Sequence, residues 1–301
     1  MDILNVLKPV EEDNSIVSYE YHHFKPYNPL QISKSDEVRI SILNSDLLLH
    51  LYEAYLYIEG TITTVKGGAP MVDNWPLFLF SQMRLEINGI EVDSNRNVGL
   101  LSGIRLLLCT GFNQQKSVSM HGWYQSKLKA AKSQDFSQCI MLRDVFRIIA
   151  DNSPVSIFSK IDVSATRARS DDNCFAIDTD GENPEILVTK LELRVPVVRA
   201  APKQALRLYK ILESGKECKL KYRGWRYHEF PKIGRASTFS WQLQTLSLFN
   251  KPLFVILGFS NGRKDVSTKN FTYFDHLNVR NAKLFVNAFS TPYENQQYEH
   301  C

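Results

Sequence analysis

The sequence predicts an all-β protein of the sandwich or barrel type. Runs that alternate between apolar and polar residues recur along the chain, separated by turn-forming residues every roughly eight to twelve positions, as is typical of such folds. The clearest case is Arg84–Asp93, where Asn88-Gly89 separates two alternating runs. Asn-Gly readily takes positive φ at both central positions of a tight turn. These residues therefore predict a β-hairpin with one buried and one solvent-exposed face.

The first two thirds of the chain contain about eight candidate strands, the number that a jelly roll requires. With the hairpin included, they are 15–22, 36–43, 55–65, 84–93, 139–149, 156–167 and 186–197. Apolar residues at helical spacing predict a helix over Asn97–Cys109, and Trp75–Met83 is predicted as a short helix leading into the hairpin. We expect these elements to form one complete β-sandwich domain.

A helix is predicted near 203–214, because Pro202 stands at its first turn and Gly215 follows its end. Strand patterns then resume at 217–227, 237–248, 251–260 and 278–289. The predicted domains are an N-terminal arm (1–14), a first jelly roll (15–197), a linker with a helix (198–216) and a partial second roll (217–301). A half sandwich exposes an apolar face, so the chain is expected to be a fragment or to have a partner on that face.

Composition excludes several classes of protein. Of 301 residues, 44% are hydrophobic, which is enough for a sizeable core. The net charge of +4 is too small to argue for nucleic-acid binding by itself. The N-terminus lacks the features of a signal peptide and no apolar stretch approaches about 18 residues, so we expect neither secretion nor a membrane span. The five cysteines include no Cys-x-x-Cys pair, which favours free thiols in a reducing compartment.

Metal and catalytic sites find little support in the sequence. Glu20 and His22 share one face of the first predicted strand and suit iron or zinc, but no His-x-His partner strand follows. The four aspartates between 171 and 180 lack the spacing of a known calcium loop. Nucleophile elbows, a Cys–His pair and phosphate-binding glycine loops are also missing from the sequence. We therefore predict no enzyme, no metal and no cofactor.

Basic residues form three groups that bear on nucleic-acid binding. They are Lys127, Lys129 and Lys132; Arg167 and Arg169; and Lys219, Lys221, Arg223 and Arg226. In the last group, Tyr222, Trp225 and Tyr227 alternate with the cations, a combination that can stack on bases and neutralise phosphates. The alternative, which we favour, is that Trp225 and Tyr227 fill a core and that the cations form a solvent-exposed edge.

Several short motifs stand in the order expected of one known group of proteins. They are Glu20–His22, Pro26–Pro29, Asp36–Ile40, Tyr55–Gly60, Phe78–Asp93, Arg96–Gly99, Tyr222–Pro231, Gly262–Lys264 and Phe274–His276. Together, over nearly the whole chain, they resemble the double jelly-roll major capsid proteins of Maverick/Polinton-type elements and adintovirus-like viruses, including copies integrated in animal genomes. Each motif is weak alone, and the resemblance rests on their number and order.

The resemblance implies a structural protein of the virion, assembled inside the host cell. Its fold would be a double jelly-roll-like β-sandwich, and three chains would form a pseudo-hexagonal capsomer. The implied partners are further copies of the chain, minor capsid proteins and, through weak non-specific contact, packaged DNA. The long polar segments 110–138 and 168–184 are then expected to make the trimer and lattice contacts.

The resemblance leaves two alternative functions open. Proteins of the group continue past the segment matched by Pro292–Asn295, so the chain is expected to carry one full roll and part of a second. A truncated endogenous or domesticated capsid-derived protein would act as a binding or interaction module without forming virions. A lesser alternative is a metal- or carbohydrate-binding jelly-roll protein, since a fold does not determine a function.

Overall fold

Strands dominate the structure, a computed structural model that describes residues 15–27, 32–43, 47–63, 70–109, 133–153, 159–177, 184–215, 217, 219–230, 232–234, 237–243, 252–286 and 289–295. The strands are β1 (Ile16–Phe24), β2 (Glu37–Ile42), β3 (Leu48–Leu49), β4 (Tyr55–Thr63), β5 (Phe80–Ile87), β6 (Ile90–Arg96), β7 (Ser133–Met141), β8 (Ile161–Arg167), β9 (Glu185–Ala200), β10 (Leu284–Val286) and β11 (Phe289–Thr291). The α-helices are α1 (Trp75–Phe78), α2 (Val98–Cys109), α3 (Leu142–Val145), α4 (Arg147–Asp151) and α5 (Pro202–Glu213).

Two antiparallel sheets contain most of these strands. The first sheet has the order β1-β9-β4-β7, with the short β3 also paired to β9, and the second sheet has the order β2-β8-β5-β6. The chain passes repeatedly from one sheet to the other, and the last of these strands, β9, lies between β1 and β4. This interleaving is the strand order of a jelly roll. The predicted all-β sandwich is confirmed.

The inward sides of both sheets share one hydrophobic core. Strand β2 shows the pattern most simply, because Val38, Ile40 and Ile42 are buried while the residues between them are exposed. The first sheet contributes Leu56 and Leu193, which are buried against the same cluster. Alternation of side chains across each strand therefore produces the core, and it leaves one outer face on each sheet for contacts with other molecules.

The predicted hairpin is present, with an irregularity that the sequence did not indicate. Asn88 and Gly89 have φ of 51° and 79°, as a turn with two positive φ angles requires. The register of β5 and β6 shifts between Leu85 and Glu86, so Glu86 pairs with Glu91 but Leu85 pairs with Asp93. Val92 is thus the extra residue of a β-bulge, and Asp93 is turned into the core.

Two predictions in the middle of the chain are partly wrong. The helix predicted over Trp75–Met83 ends at Phe78, because β5 begins at Phe80 and pairs with β8 and β6. The strand predicted over Cys139–Ile149 ends at Met141, and α3 and α4 follow it. In both cases a run of buried apolar residues is compatible with a helix and with a strand, and pairing with neighbouring strands decides which of the two forms.

The predicted loop and the later strands also require correction. Residues 133–138 belong to β7 and not to a loop, while residues 110–132 of the prediction lie outside the described residues. Among the described residues of 217–227, 237–243 and 252–260 none belongs to a strand, and of 278–289 only Leu284–Val286 and Phe289 do. An alternation of apolar and polar residues forms a strand only where a second strand is available to pair with it. The domain boundaries stay predictions, and the arm 1–14 lies outside the described residues.

A buried ion pair ties the two sheets together at the end farthest from the hairpin turn. Arg167, the last residue of β8, pairs with Asp171, and both side chains are almost fully buried. The Arg167 Nη1 atom also donates to the Leu79 carbonyl oxygen at 2.9 Å. Asp171 Oδ2 accepts from the Ile186 amide of β9 at 3.1 Å, so the pair connects the second sheet to the first.

Replacing Arg167 with Met should strongly destabilise the sandwich. The substitution leaves the Asp171 carboxylate buried without its main cation, which typically costs about 3–5 kcal/mol of unfolding free energy. Urea unfolding of the variant measures the loss. The matched control is Arg39→Met, because the Arg39 side chain is 52% exposed and ion pairs of exposed side chains are worth about 0–1 kcal/mol. Similar losses in the two variants would show that the buried pair has no special role.

Candidate interaction surfaces

The outer face of the second sheet carries a network of ion pairs. Arg39 Nη2 lies 2.8 Å from Glu86 Oε2 and 3.0 Å from Asp162 Oδ2. Arg84 pairs with Glu37 along the same face. The hydrogen bond from Arg39 lowers the pKa of Asp162 below its ordinary value. Because these charges satisfy one another in solvent, this face is well suited to remain exposed to water.

The outer face of the first sheet is instead rich in tyrosine. Tyr19 and Tyr21 on β1 have ring centroids 6.2 Å apart, and Tyr21 lies 5.7 Å from Tyr55 on β4. Tyr19 and Tyr21 are 42% and 44% exposed. Burial of the rest of the side chain, together with the nearby Tyr21 and Glu53, raises the pKa of Tyr19 to about 12. Tyr19 is therefore neutral over the physiological range and presents an amphipathic ring.

A buried carboxylate on β9 lies among basic side chains of the same sheet. The Glu192 side chain is only 5% exposed, and its Oε2 atom lies 3.5 Å from Arg194, 3.6 Å from Lys190 and 3.8 Å from His23. The Arg194 guanidinium also lies 3.8 Å from the centre of the Tyr57 ring. Tyrosine and arginine are enriched in protein–protein interfaces. The two outer faces thus differ, and that of the first sheet has the composition of a contact surface.

The basic residues predicted to face nucleic acid are exposed. Lys219, Lys221, Arg223 and Arg226 all point to solvent. Of the aromatic residues in this group, Tyr227 packs against the core, and the Trp225 ring lies 5.3 Å from that of Phe254. The alternative, in which Trp225 and Tyr227 fill a core and the cations form an exposed edge, stays a prediction. The nucleic-acid role of the four cations stays a prediction.

The same segment is bound to one end of the first sandwich. Leu220 enters an apolar groove, which we define by Leu51, Leu85, Ile87, Ile148 and Ile149. Tyr222 donates from its hydroxyl to the carbonyl oxygen of the bulged Val92 at 2.5 Å. Two residues at the end of α4 contact the backbone of the segment. Asn152 Nδ2 donates to the Lys221 carbonyl at 3.1 Å, and the Arg223 amide donates to Asp151 Oδ2 at 3.0 Å.

The buried side chain of Asp93 holds α4 in place at this end of the sandwich. Its buried Oδ2 atom accepts hydrogen bonds from the Arg147 amide at 2.7 Å and the Ile148 amide at 3.4 Å, which fixes the start of α4. Burial raises the pKa of Asp93, and the hydrogen bonds from these amides oppose part of that shift. Sequence reasoning missed this role because strict alternation leaves Asp93 on the outer face, and only the bulge at Val92 turns it inward.

The candidate metal ligands are not brought together. Glu20 and His22 are exposed on β1. Asp171 forms an ion pair with Arg167 and accepts a hydrogen bond from the Ile186 amide. Asp178 and Asp180 lie outside the described residues. Within the described part of the chain, no group of three or more His, Cys, Asp or Glu residues is placed to hold a metal ion.

In that same part, no helix is long and apolar enough to cross a membrane.

Comparison with known proteins identifies the family. The model of the double jelly roll-like domain family matches residues 70–300, which is more than half of the chain. The chain therefore belongs to the double jelly roll-like domain family, in agreement with the interleaved sheets. None of the curated proteins matches the sequence.

The chain is also similar to several solved viral structures at low sequence identity. A quasi-atomic model of the PBCV-1 virus capsid shares 14% identity with a TM-score of 0.46, covering 67% of this chain and 46% of that one. The Faustovirus major capsid protein shares 9% identity with a TM-score of 0.45, covering 69% and 58%. The mavirus major capsid protein shares 11% identity with a TM-score of 0.39, covering 66% and 48%. The chain spans about half the length of these proteins.

Replacing Asp93 with Asn should make stability less dependent on pH. Because the pKa of Asp93 in the folded state lies above its ordinary 3.8, the folded protein binds this proton more tightly than the unfolded chain does, and the resulting stabilisation is lost as the pH rises through the folded-state pKa. We expect the unfolding free energy of D93N, minus that of the wild type, to increase as the pH rises above 3.8 and then to level off. Urea unfolding across a pH series measures this difference.

Asp162→Asn is the control with the opposite sign. Arg39 lowers the pKa of Asp162, so the wild type gains stability as this group ionises, and the difference between D162N and the wild type should decrease as the pH rises toward 3.8. If the differences in unfolding free energy of the two variants changed in the same direction with pH, the opposite pKa shifts assigned to Asp93 and Asp162 would be contradicted.

Proposed function

We propose that the chain is a structural subunit of a viral capsid, of the major capsid protein type. The observation that carries the proposal is the pair of interleaved sheets in a chain that belongs to the double jelly roll-like domain family. The ordered motifs of the sequence support the same function. In this role the protein acts through its surfaces and has no reaction centre.

The finer assignment is a subunit of a trimeric, pseudo-hexagonal capsomer from the Maverick/Polinton or adintovirus-like lineage. The order of the motifs from Glu20–His22 to Phe274–His276 supports the lineage. The subunit would be located in the virion, in contact with further copies of itself and with minor capsid proteins. The exposed cations Lys219, Lys221, Arg223 and Arg226 would allow weak, salt-sensitive contact with packaged DNA.

The two outer faces suggest how such a subunit would assemble. A packed sandwich is a rigid block, so contacts on one face can fix the orientation of a neighbour. Ion pairs already neutralise the outer face of the second sheet. On the first sheet, Tyr19 and Tyr21 are about half exposed, and covering their rings would remove apolar area from water. We assign the subunit contact to the outer face of the first sheet.

Replacing Tyr19 and Tyr21 together with Ser tests this assignment. The double variant should remain folded, because both side chains are substantially exposed, and its assembly should weaken by at least about tenfold in concentration. Light scattering across a dilution series measures the midpoint of assembly. The control is Ile90→Ser, which removes a 68% exposed apolar side chain from the second sheet. Assembly of the tyrosine variant at the wild-type midpoint would overturn the assignment of the face.

A further inference from the structure

The groove at the end of the first sandwich has the properties of a peptide-binding site. Its floor is apolar, formed by Leu85 and Ile87 of β5 and by Ile148 and Ile149 of α4, and the partly buried Leu220 side chain lines it from the opposite side. Leu220 belongs to the segment that follows α5, so it is distant in sequence from every residue of the floor. An apolar side chain in a pocket of this kind is a typical anchor for an extended peptide.

Polar contacts on either side of the anchor are directed at the peptide backbone. The Asn152 side chain donates to the Lys221 carbonyl, and the Asp151 carboxylate accepts from the Arg223 amide. These are alternate residues, the spacing at which an extended strand presents its groups to one side. Asn152 is itself oriented by a 2.8 Å hydrogen bond to the Ile148 carbonyl. Such contacts select an extended conformation and leave the side chains at 221 and 223 unspecified.

The Tyr222 side chain supplies a second point of recognition. Its hydroxyl donates to the Val92 carbonyl oxygen, which the β-bulge leaves beside the groove. Burial and the nearby Asp93 carboxylate raise the pKa of Tyr222, so the hydroxyl keeps its proton as a donor. These contacts fit an apolar residue that is followed two positions later by tyrosine.

The helix that precedes this segment is largely exposed to solvent. No residue of α5 is buried, and Leu206 and Leu212 of this helix are 63% and 55% exposed. After the helix, Gly215 has φ of 64°, a conformation that most residues with side chains rarely adopt. A segment that is seated in a defined groove and joined to the first sandwich through an exposed helix is suited to exchange between identical chains.

We propose that this groove is a binding site for extended peptides of the pattern apolar-x-Tyr, and that the 219–223 segment of a second copy can occupy it in place of the chain's own segment. The occupant is argued from the structure, since the same sequence is already seated there in cis. The inference is independent of the capsid assignment, because the groove and the tyrosine-rich outer face are formed by different residues.

A labelled peptide with the sequence of residues 219–228 tests the groove directly. The full chain with Leu220→Asp and Tyr222→Ala releases its own segment, so fluorescence anisotropy should show binding at least about tenfold tighter than to the wild-type chain, whose groove is occupied. A peptide with the same two substitutions should not bind. If the double variant does not fold, Leu220→Ala with Tyr222→Phe replaces it, with a smaller increase expected. Failure of the peptide to bind a folded variant would overturn the proposal.

Competition tests occupancy by a second copy. A full chain with Asp151→Ala and Asn152→Ala keeps a free segment but has a weakened groove, and adding it unlabelled should displace the peptide from the first variant. A chain that carries all four substitutions is the control and should not displace it. If the two competitors displaced the peptide equally, the segment would bind only within its own chain, and its exchange between copies would be contradicted. Because the readout is peptide displacement, it does not depend on whether the chain forms trimers.

Discussion

The buried ion pair between Arg167 and Asp171 is the interaction on which the sandwich most depends. It joins the end of β8 in the second sheet to the start of β9 in the first, and it also holds the chain that enters β5 through the Leu79 carbonyl. Two charges removed from water stabilise a fold only when their hydrogen bonds are also satisfied, and here backbone groups from both sheets complete the set. Alignment of the sheets follows from these directional bonds as well as from apolar packing.

With the two sheets fixed in this way, their outer faces differ in the contacts that they can make with other molecules. The second sheet satisfies its own surface charges, so it has little to gain from a partner. The first sheet exposes the tyrosines of β1, which a neighbouring surface would shield from water. The groove beside α4 adds a third surface, already occupied by the chain itself. A rigid block with distinct surfaces of this kind is what assembly into a regular lattice requires.

Much of the first sandwich follows from local patterns in the sequence, and the rest depends on partners that are distant along the chain. Asn88-Gly89 specifies its turn by backbone preference alone, and Pro202 and Gly215 mark the limits of a helix. The bulge at Val92 arises from pairing between strands, so alternation places Asp93 on the wrong face. Arg167 stands beside Arg169 in a group that we considered as exposed cations, and only the fold brings its guanidinium to Asp171. The groove around Leu220 joins residues from four separate segments, and no spacing in the sequence reveals it.

The most direct test of the account is the native mass of the purified chain, measured by light scattering with negative-stain images of the same peak. The account predicts a species of about three times the 34.6 kDa chain mass, or larger particles, with compact and uniform images. A chain that stays monomeric at every accessible concentration would contradict it, because a capsid subunit must associate with copies of itself.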